Sequence, residues 1–365
     1  MSRSLLCTDT KNEYVLFFSR SVHMDFQAFT GQCEIVLAPV SHELLVKHMW
    51  LGEKARIAKL DYMHFPTFPP PWQLSCPMGW TLPDATPWLH PKTMKRTSCV
   101  YYKIVGGHAA RSNRIVITDT EASRRDLIKY VKVNPERVHV IYPGLRPIFR
   151  QPNDSLDFEA VRARFGLPKD FILFVGTLEP RKNLSQIIAA FSRLKLTSSF
   201  SPALVIVGRP GWLYSPIFAE IRRLNLAKHV FLTGYVSDTD LVALYNMARL
   251  LIFPSIYEGF GLPAIEAMAC GCPVVTSDRG AQYEVTRDCA VHCDPQNVLS
   301  IAEGIEKVHC DHAVRAKLTA NGLRHARAFS WERYAKEFLK IVHQTFDQTS
   351  YAMNRQRVEA SAATL

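Results

Sequence analysis

The sequence predicts an α/β fold of two doubly wound, parallel-sheet domains facing each other across a cleft. Three observations support this. The chain has 365 residues, more than one ordinary core accommodates and about right for two domains of roughly 150–200 residues each. Short apolar or β-branched runs alternate with helix-like stretches along almost the whole length, the pattern of parallel sheets with helical crossovers. A polar, loop-flanked stretch at 150–170 separates two such series. The content of 47% hydrophobic, 11% aromatic and 21% charged residues is that of a globular chain and excludes disordered, collagen-like and coiled-coil classes.

Taken in order, the first series contains YVLFF (14–18), EIVLAPV (34–40), LDYMHF (60–65), RIVITD (114–119) and RVHVIYP (137–143), with a helix over 121–131. The stretch 65–91 is rich in proline and tryptophan and is expected to be irregular. RQPNDSLDFEAVRARFGLPKD (150–170) is the expected boundary: 1–150 form the first domain, 151–169 a linker and 170–330 the second domain. The second series runs FILFVG (171–176), ALVIVG (203–208), HVFLTG (229–234), LLIFPS (250–255) and CPVVTS (272–277), with helices over 183–196, 238–248 and 263–270. Residues 331–347 carry apolar side chains at helical spacing and end the packed structure, leaving 348–365 as a disordered tail.

Net charge is +11, and residues 1–150 hold 20 Lys and Arg against 12 Asp and Glu, so a surplus of 8 lies in the first domain. That bias favours anionic partners such as phospholipid headgroups or lipid diphosphates, or is simply a solvated basic surface. The basic residues form no aromatic-interleaved run, which argues against nucleic acid. No run approaches the roughly 18 apolar residues of a membrane-spanning helix, and the N-terminus shows no export signal. A cytoplasmic protein is expected, touching the inner face of the plasma membrane electrostatically and without an apolar anchor. Nine cysteines, an odd number without C-x-x-C pairs, read as reduced thiols. Cys289, His292, Cys293 and Asp294 are of ligand type but lie in CAVHCDP, a buried strand entering a loop, so no metal is expected there.

The segment YEGFGLPAIEAMACGCPVV (257–275) is the most informative. Pro263 suits a first helical position and Gly271 a terminator, so a two-turn helix opens its N-terminus onto Gly259, Phe260, Gly261 and Leu262. Free amides and the positive end of the helix dipole there form a seat for a diphosphate. Glu258 and Glu266 flank the seat. A carboxylate on either side of a phosphate site suits a ligand with a hydroxyl-rich group at each end, such as a nucleotide sugar. Singly, each could as well be an ordinary loop or helix glutamate.

In FVGTLEPRKNL (174–184) a strand ends at Gly176 and Thr177, and a turn delivers Arg181 and Lys182 ahead of Asn183, a good helix N-cap. Those cations fall outside the carboxyl end of a strand, where open α/β sheets bind ligands, and could neutralise a leaving diphosphate. A surface basic pair is the plain alternative. Gly208 and Arg209 follow ALVIV, and Gly234, Tyr235 and Val236 follow HVFLT. Backbone amides at these strand ends could face a planar base, or the glycines could serve packing alone. No G-x-G-x-x-G lies between a strand and a helix, which disfavours a dehydrogenase.

In order, GTLEPRKN, VGRPGW, LTGYVSDTDL and IFPSIYEGFGLPAIEAMACGCPVV resemble the retaining GT-B glycosyltransferases of family 4, the glycosyl transferases group 1, over residues 11–345. Glu258 and Glu266 match that family's Glu-seven residues-Glu motif. FSWERYAKEFL (329–339) is similar to its closing helix, which crosses back to the first domain. The resemblance implies that Arg181 and Lys182 bind the diphosphate and stabilise the leaving group. It also implies that Glu258 faces the donor sugar, Glu266 holds the ribose, and Gly259 through Leu262 offer backbone contacts. The implied reaction moves a hexose, by analogy mannose from GDP-mannose, to a surface-glycan or lipid-linked acceptor, with retention and without cofactor or metal.

Two departures stand out. Where the family reads T-I-H-D, this chain reads Thr81, Leu82, Pro83, Asp84, so the histidine beside the donor sugar is missing, and His64, His90 and His108 are the neighbouring replacements. Relatives also begin with a strand and a glycine-rich loop ahead of the phrase that here reads KNEYVLFF, which only ten residues precede. Without that central strand, YVLFF and LDYMHF are expected to separate or pair anew, in a first domain less stable than the second. The alternative function is that of a truncated or decayed, non-catalytic nucleotide-sugar-binding protein. Sucrose- or trehalose-type synthases are a further option on the same fold, whereas a cofactor-bound phosphorylase would need a pyridoxal lysine and a much longer chain.

Overall fold

The computed structural model describes residues 1–18, 21–22, 26, 29, 31–39, 50–151, 156–196 and 202–362, with side chains to 346. Strands β1 (Val15–Phe18), β2 (Glu34–Leu37), β3 (Met63–Phe65), β4 (Met78–Thr81), β5 (Ile115–Thr118) and β6 (Val138–Val140) belong to the first domain. The second domain holds β7 (Phe171–Val175), β8 (Ala203–Val207), β9 (Val230–Gly234), β10 (Leu251–Phe253), β11 (Val274–Ser277) and β12 (Val291–Cys293). Every described pairing is parallel. The ten strand runs named in the sequence each contain one of these strands, with Val40 of the second run lying outside the described residues.

The second-domain sheet has the order β12-β11-β10-β7-β8-β9. From the centre, β7 to β9 run to one edge and β10 to β12 to the other, so the order reverses between β7 and β10. Loops leaving the carboxyl ends of those two strands diverge to opposite faces, which opens a crevice at that point. Every residue of β7 and β8 is buried. Helices cover both faces, which is why FILFV and ALVIV read as unbroken apolar runs and not as alternation.

In the first domain β3-β4-β5-β6 form one sheet and β1-β2 a separate one. YVLFF and LDYMHF therefore do not pair with each other among the described residues. Alternation along β5 sorts its side chains: Val116 joins a core with Trp80 and Leu127, while Ile115 and Ile117 meet Leu5, Ile141, Tyr334, Ala335 and Phe338. Tyr334, Ala335 and Phe338 belong to the helix Trp331–Ala362, so the C-terminal helix does cross back onto the first sheet. Its start is pinned to the interdomain segment, where the Leu145 amide donates to the Phe329 carbonyl at 3.0 Å. A Cβ on Gly144 would stand 2.2 Å from the Trp331 nitrogen, so only glycine permits that approach.

Three boundaries differ from the sequence reading. The stretch 65–91 is not wholly irregular: it contains β4, which pairs on both sides and buries Trp80 completely. The expected linker 151–169 contains the helix Phe158–Phe165, capped by Asp157 and ended by left-handed Gly166. Its Val161 joins the second core, so the helix belongs to that domain; residues 152–155 lie outside the described ones. The segment read as a tail continues the last helix to Ala362, since no proline or glycine interrupts 331–365. Finally, Asn183 does open the helix Leu184–Leu196, its carbonyl accepting the Gln186 and Ile187 amides at 3.1 and 3.2 Å, but from a left-handed φ of 64°. Its side-chain amide donates to the carbonyls of Pro254 at 3.0 Å and Pro295 at 2.6 Å, tying together the loops after β7, β10 and β12.

Candidate active site

The loops after β7 and β10 bring the principal candidates together at the switch point. Lys182 Nζ stands 2.7 Å from Glu258 Oε1, and an Arg181 guanidinium nitrogen 2.7 Å from Oε2. Arg181 also binds Glu179 at 2.5 Å and the Tyr257 carbonyl at 2.8 Å. Glu258 is 8% exposed. Burial alone would raise its pKa, but Lys182 and Arg181 outweigh it and hold the carboxyl below its ordinary value. For Glu179 burial wins over the same two cations, and its pKa is raised.

The helix Leu262–Ala269 begins at Gly261, whose φ of 98° is open to glycine and strained for other residues. Its first residue follows Glu258 by four positions. Phe260 turns its ring into the core against Tyr142 and Phe329, so it offers the site backbone only. Glu266, one turn in, accepts a bond from Tyr245 Oη at 3.1 Å. Burial pushes its carboxyl up to about 7, against the pull of Tyr245 and Arg146. The two glutamates thus differ in kind: Glu258 is clamped between cations, and Glu266 is a half-buried acid without a direct cationic partner among the described contacts.

Gly176 and Thr177 lie against Gly208 and Gly211 in the loops after β7 and β8. A Cβ on Gly208 would fall 1.9 Å from the Gly176 carbonyl oxygen, a close approach that accounts for glycine at that strand end. Arg209 and Tyr235, on neighbouring strand ends, stack with the guanidinium 4.2 Å from the ring centroid. Gly234 keeps a left-handed φ of 71°. Val236 is a core residue, so its side chain does not face the crevice.

The first domain closes over this cluster through contacts that no sequence pattern indicated. Thr120 and Ser123 hydroxyls both donate to the Gly259 carbonyl, at 3.0 and 3.2 Å. Tyr257 donates to Asp126 at 2.8 Å. The Glu284 carboxylate accepts the amides of Glu121 and Ala122, both at 2.7 Å, and the Tyr142 hydroxyl at 2.9 Å. The phrase Thr81 to Asp84 does reach the site: a Cβ on Gly259 would come 2.9 Å from the Pro83 carbonyl oxygen and 3.2 Å from Asp84. Behind it, burial and then the charge of Asp84 push the Asp119 carboxyl up to about 8.

The three histidines separate clearly. His64 is locked between Tyr62 Oη and Thr81 Oγ1, each at 2.8 Å, where desolvation lowers its pKa to about 3. His108 stacks on Trp72 at the surface. His90 lies 5.0 Å from the Tyr257 ring, and burial, then Arg181, lowers its pKa. It alone of the three shares the crevice. His292, of the cysteine-containing run, is occupied by Thr286 at 2.9 Å.

Residues 157–325 match the model of the family described as Glycosyl transferases group 1. The chain is 33% identical over 224 residues to the O-antigen chain mannosyltransferase B of Escherichia coli, covering 60% of this chain and 58% of that protein. It thus spans well under two thirds of that relative's length. Among solved structures it is similar to the sucrose-phosphate synthase of Thermosynechococcus elongatus, with a TM-score of 0.72 at 22% identity, over 93% of this chain and 88% of that one. It is also similar to Anabaena HepE in complex with UDP and glucose, with a TM-score of 0.71 at 18% identity, over 91% and 100% of the two chains.

Proposed function

We propose that the chain, whose residues 157–325 match the Glycosyl transferases group 1 model and whose fold is GT-B, transfers a hexose from a nucleotide-diphosphate sugar to a glycan or lipid-linked acceptor. The observation that carries this reading is the pairing of Glu258 with both Arg181 and Lys182 at the topological switch point. Two cations fixed beside a helix N-terminus supply the positive charge that a leaving diphosphate develops.

In the reaction, the diphosphate sits on the amides at Gly261 and Leu262 and displaces part of the cations' attention from Glu258. The freed carboxylate then accepts hydroxyls of the donor sugar. Glu266 accepts the ribose hydroxyls, and the base lies by Gly234 and the Arg209–Tyr235 stack. The bond from the anomeric carbon to the diphosphate breaks as the acceptor oxygen attacks from the same face. The acceptor's proton passes to the departing phosphate, so configuration is retained and no protein nucleophile is needed. His90 stands in for the histidine that Pro83 replaces. Magnesium is not required in this scheme, because Arg181 and Lys182 do its electrostatic work.

The name of the E. coli relative favours mannose, and the site is expected to work in the cytoplasm. The test is incubation of the full chain with UDP-, GDP- and ADP-hexoses, in the presence and absence of a chelator, with nucleoside diphosphate release as readout. Release that survives chelation supports the reading. Tight nucleoside diphosphate binding without either transfer or donor hydrolysis would favour the non-catalytic alternative that the Pro83 departure suggests.

A further inference from the structure

The first domain carries an apolar and basic face that the site does not use. Residues 85–118 contain Lys92, Lys95, Arg96, Lys103, Arg111 and Arg114 and no Asp or Glu. Half of this segment is one helical stretch: Arg96–Tyr101, a π-turn over Tyr102–Gly106, and Gly107–Ser112. Its inner side is small, with Cys99, Gly106, Ala109 and Ala110 buried. A Cβ on Gly106 would lie 3.2 Å from Trp80, so the helix is seated closely on the core. Its outer side, at the spacing of one helix face, holds Arg96, Val100, Lys103, Ile104, His108 and Arg111, all exposed.

Val100 is 56% and Ile104 60% exposed, and the Trp72 ring, 60% exposed, lies on His108 at 5.3 Å. An ordinary solvated helix face would interleave acids with its bases and would not place two aliphatic side chains and an indole among them. Apolar tips among cations, on a segment without Asp or Glu, fit the boundary between headgroups and acyl chains of an anionic bilayer. The face also adjoins the crevice. The Trp212 indole, after β8, donates to the Thr93 carbonyl at the foot of the helical stretch, and His90 lies three residues before it.

We propose that this face is a docking surface for anionic phospholipid, with Val100, Ile104 and Trp72 inserting among the headgroups and Lys95, Arg96 and Lys103 meeting the phosphates. It supplies the apolar anchor that the sequence did not show, and sets the crevice at a membrane where a lipid-linked acceptor would be presented. That purpose rests on the transferase reading; the docking itself does not.

The test is co-sedimentation of the full chain with vesicles of phosphatidylcholine alone, or of phosphatidylcholine with phosphatidylglycerol, without donor or acceptor. The chain should bind the anionic vesicles selectively and release them as salt rises. Val100→Asp with Ile104→Asp should reduce binding at least tenfold, and Lys103→Gln should reduce it about fivefold, with nucleoside diphosphate binding unchanged as the control for folding. Equal binding to neutral and anionic vesicles, or parental binding by both variants, would overturn the proposal. So would a dimer in solution that the double aspartate variant dissolves, which would assign the face to a second copy. Loss of donor chemistry with vesicle binding intact would count against the transferase reading alone.

Discussion

Glu258→Gln separates the two roles assigned to the central carboxylate. In the unliganded protein that carboxylate neutralises Arg181 and Lys182, whose side chains are 17% and 11% exposed. Removing the charge leaves two enclosed cations facing a neutral amide. Breaking a buried pair costs about 3–5 kcal/mol, and because the amide oxygen still accepts a bond the lower end, about 3 kcal/mol, applies. For a domain of this size that is a fall in melting temperature of roughly 6–12 °C. A diphosphate restores the missing negative charge, so the nucleoside diphosphate should stabilise the variant more than the parent, while transfer is lost because the sugar has no carboxylate to hold it. Thermal melting with and without UDP or GDP, beside a transfer assay, reads both effects. A variant that melts with the parent and gains no more from nucleotide would refute the argument, since Glu258 would then not be the counter-ion that competes with the donor.

Arg181→Ala should lower turnover by about two orders of magnitude, as expected on removing a cation that stabilises a leaving group, and added magnesium should not restore it in steady-state assays. Glu266 provides a pH test. Its folded pKa of about 7 means the carboxyl gains a proton as pH falls through 7, whereas bound ribose hydroxyls favour the ionised form. Nucleoside diphosphate affinity, followed by calorimetry, should therefore weaken about tenfold between pH 8 and pH 6, and Glu266→Gln should remove that component of the profile while binding weakly throughout. Glu284→Ala removes the acceptor of three interdomain bonds, about 2 kcal/mol of closure after allowance for partial exposure. Small-angle scattering should show a more open chain and kcat/KM should fall; unchanged scattering and kinetics would clear Glu284 of that role.

The second domain was the more legible because its information is local. A strand buried on both faces announces itself as FILFV or ALVIV, and a glycine at its end marks where the chain turns toward the crevice. Arg181 and Glu258 each follow such a strand, so the topology brings them together once the strands are placed. β4 was hidden because Met78-Gly79-Trp80-Thr81 lies among prolines and lacks β-branched periodicity; its strand state comes from β3 and β5 on either side. The helix Phe158–Phe165 was masked by its polar exposed face. Glu284 meets Glu121 across 163 positions, and nothing near either residue signals the encounter. Choosing His90 over His64 likewise required knowing which loop faces which.

The two hydroxyl bonds to the Gly259 carbonyl have a thermodynamic corollary. The loop that receives Thr120 and Ser123 is the same loop proposed to seat the donor with its amides, so in that proposal the first domain grips the seat from outside while the ligand fills it from within. Any preference of the donor for the gripped form must be matched, by reciprocity, by an equal tightening of the domains when donor is present. Affinity measured on an isolated second domain would therefore differ from that of the whole chain by the factor through which donor draws the halves together.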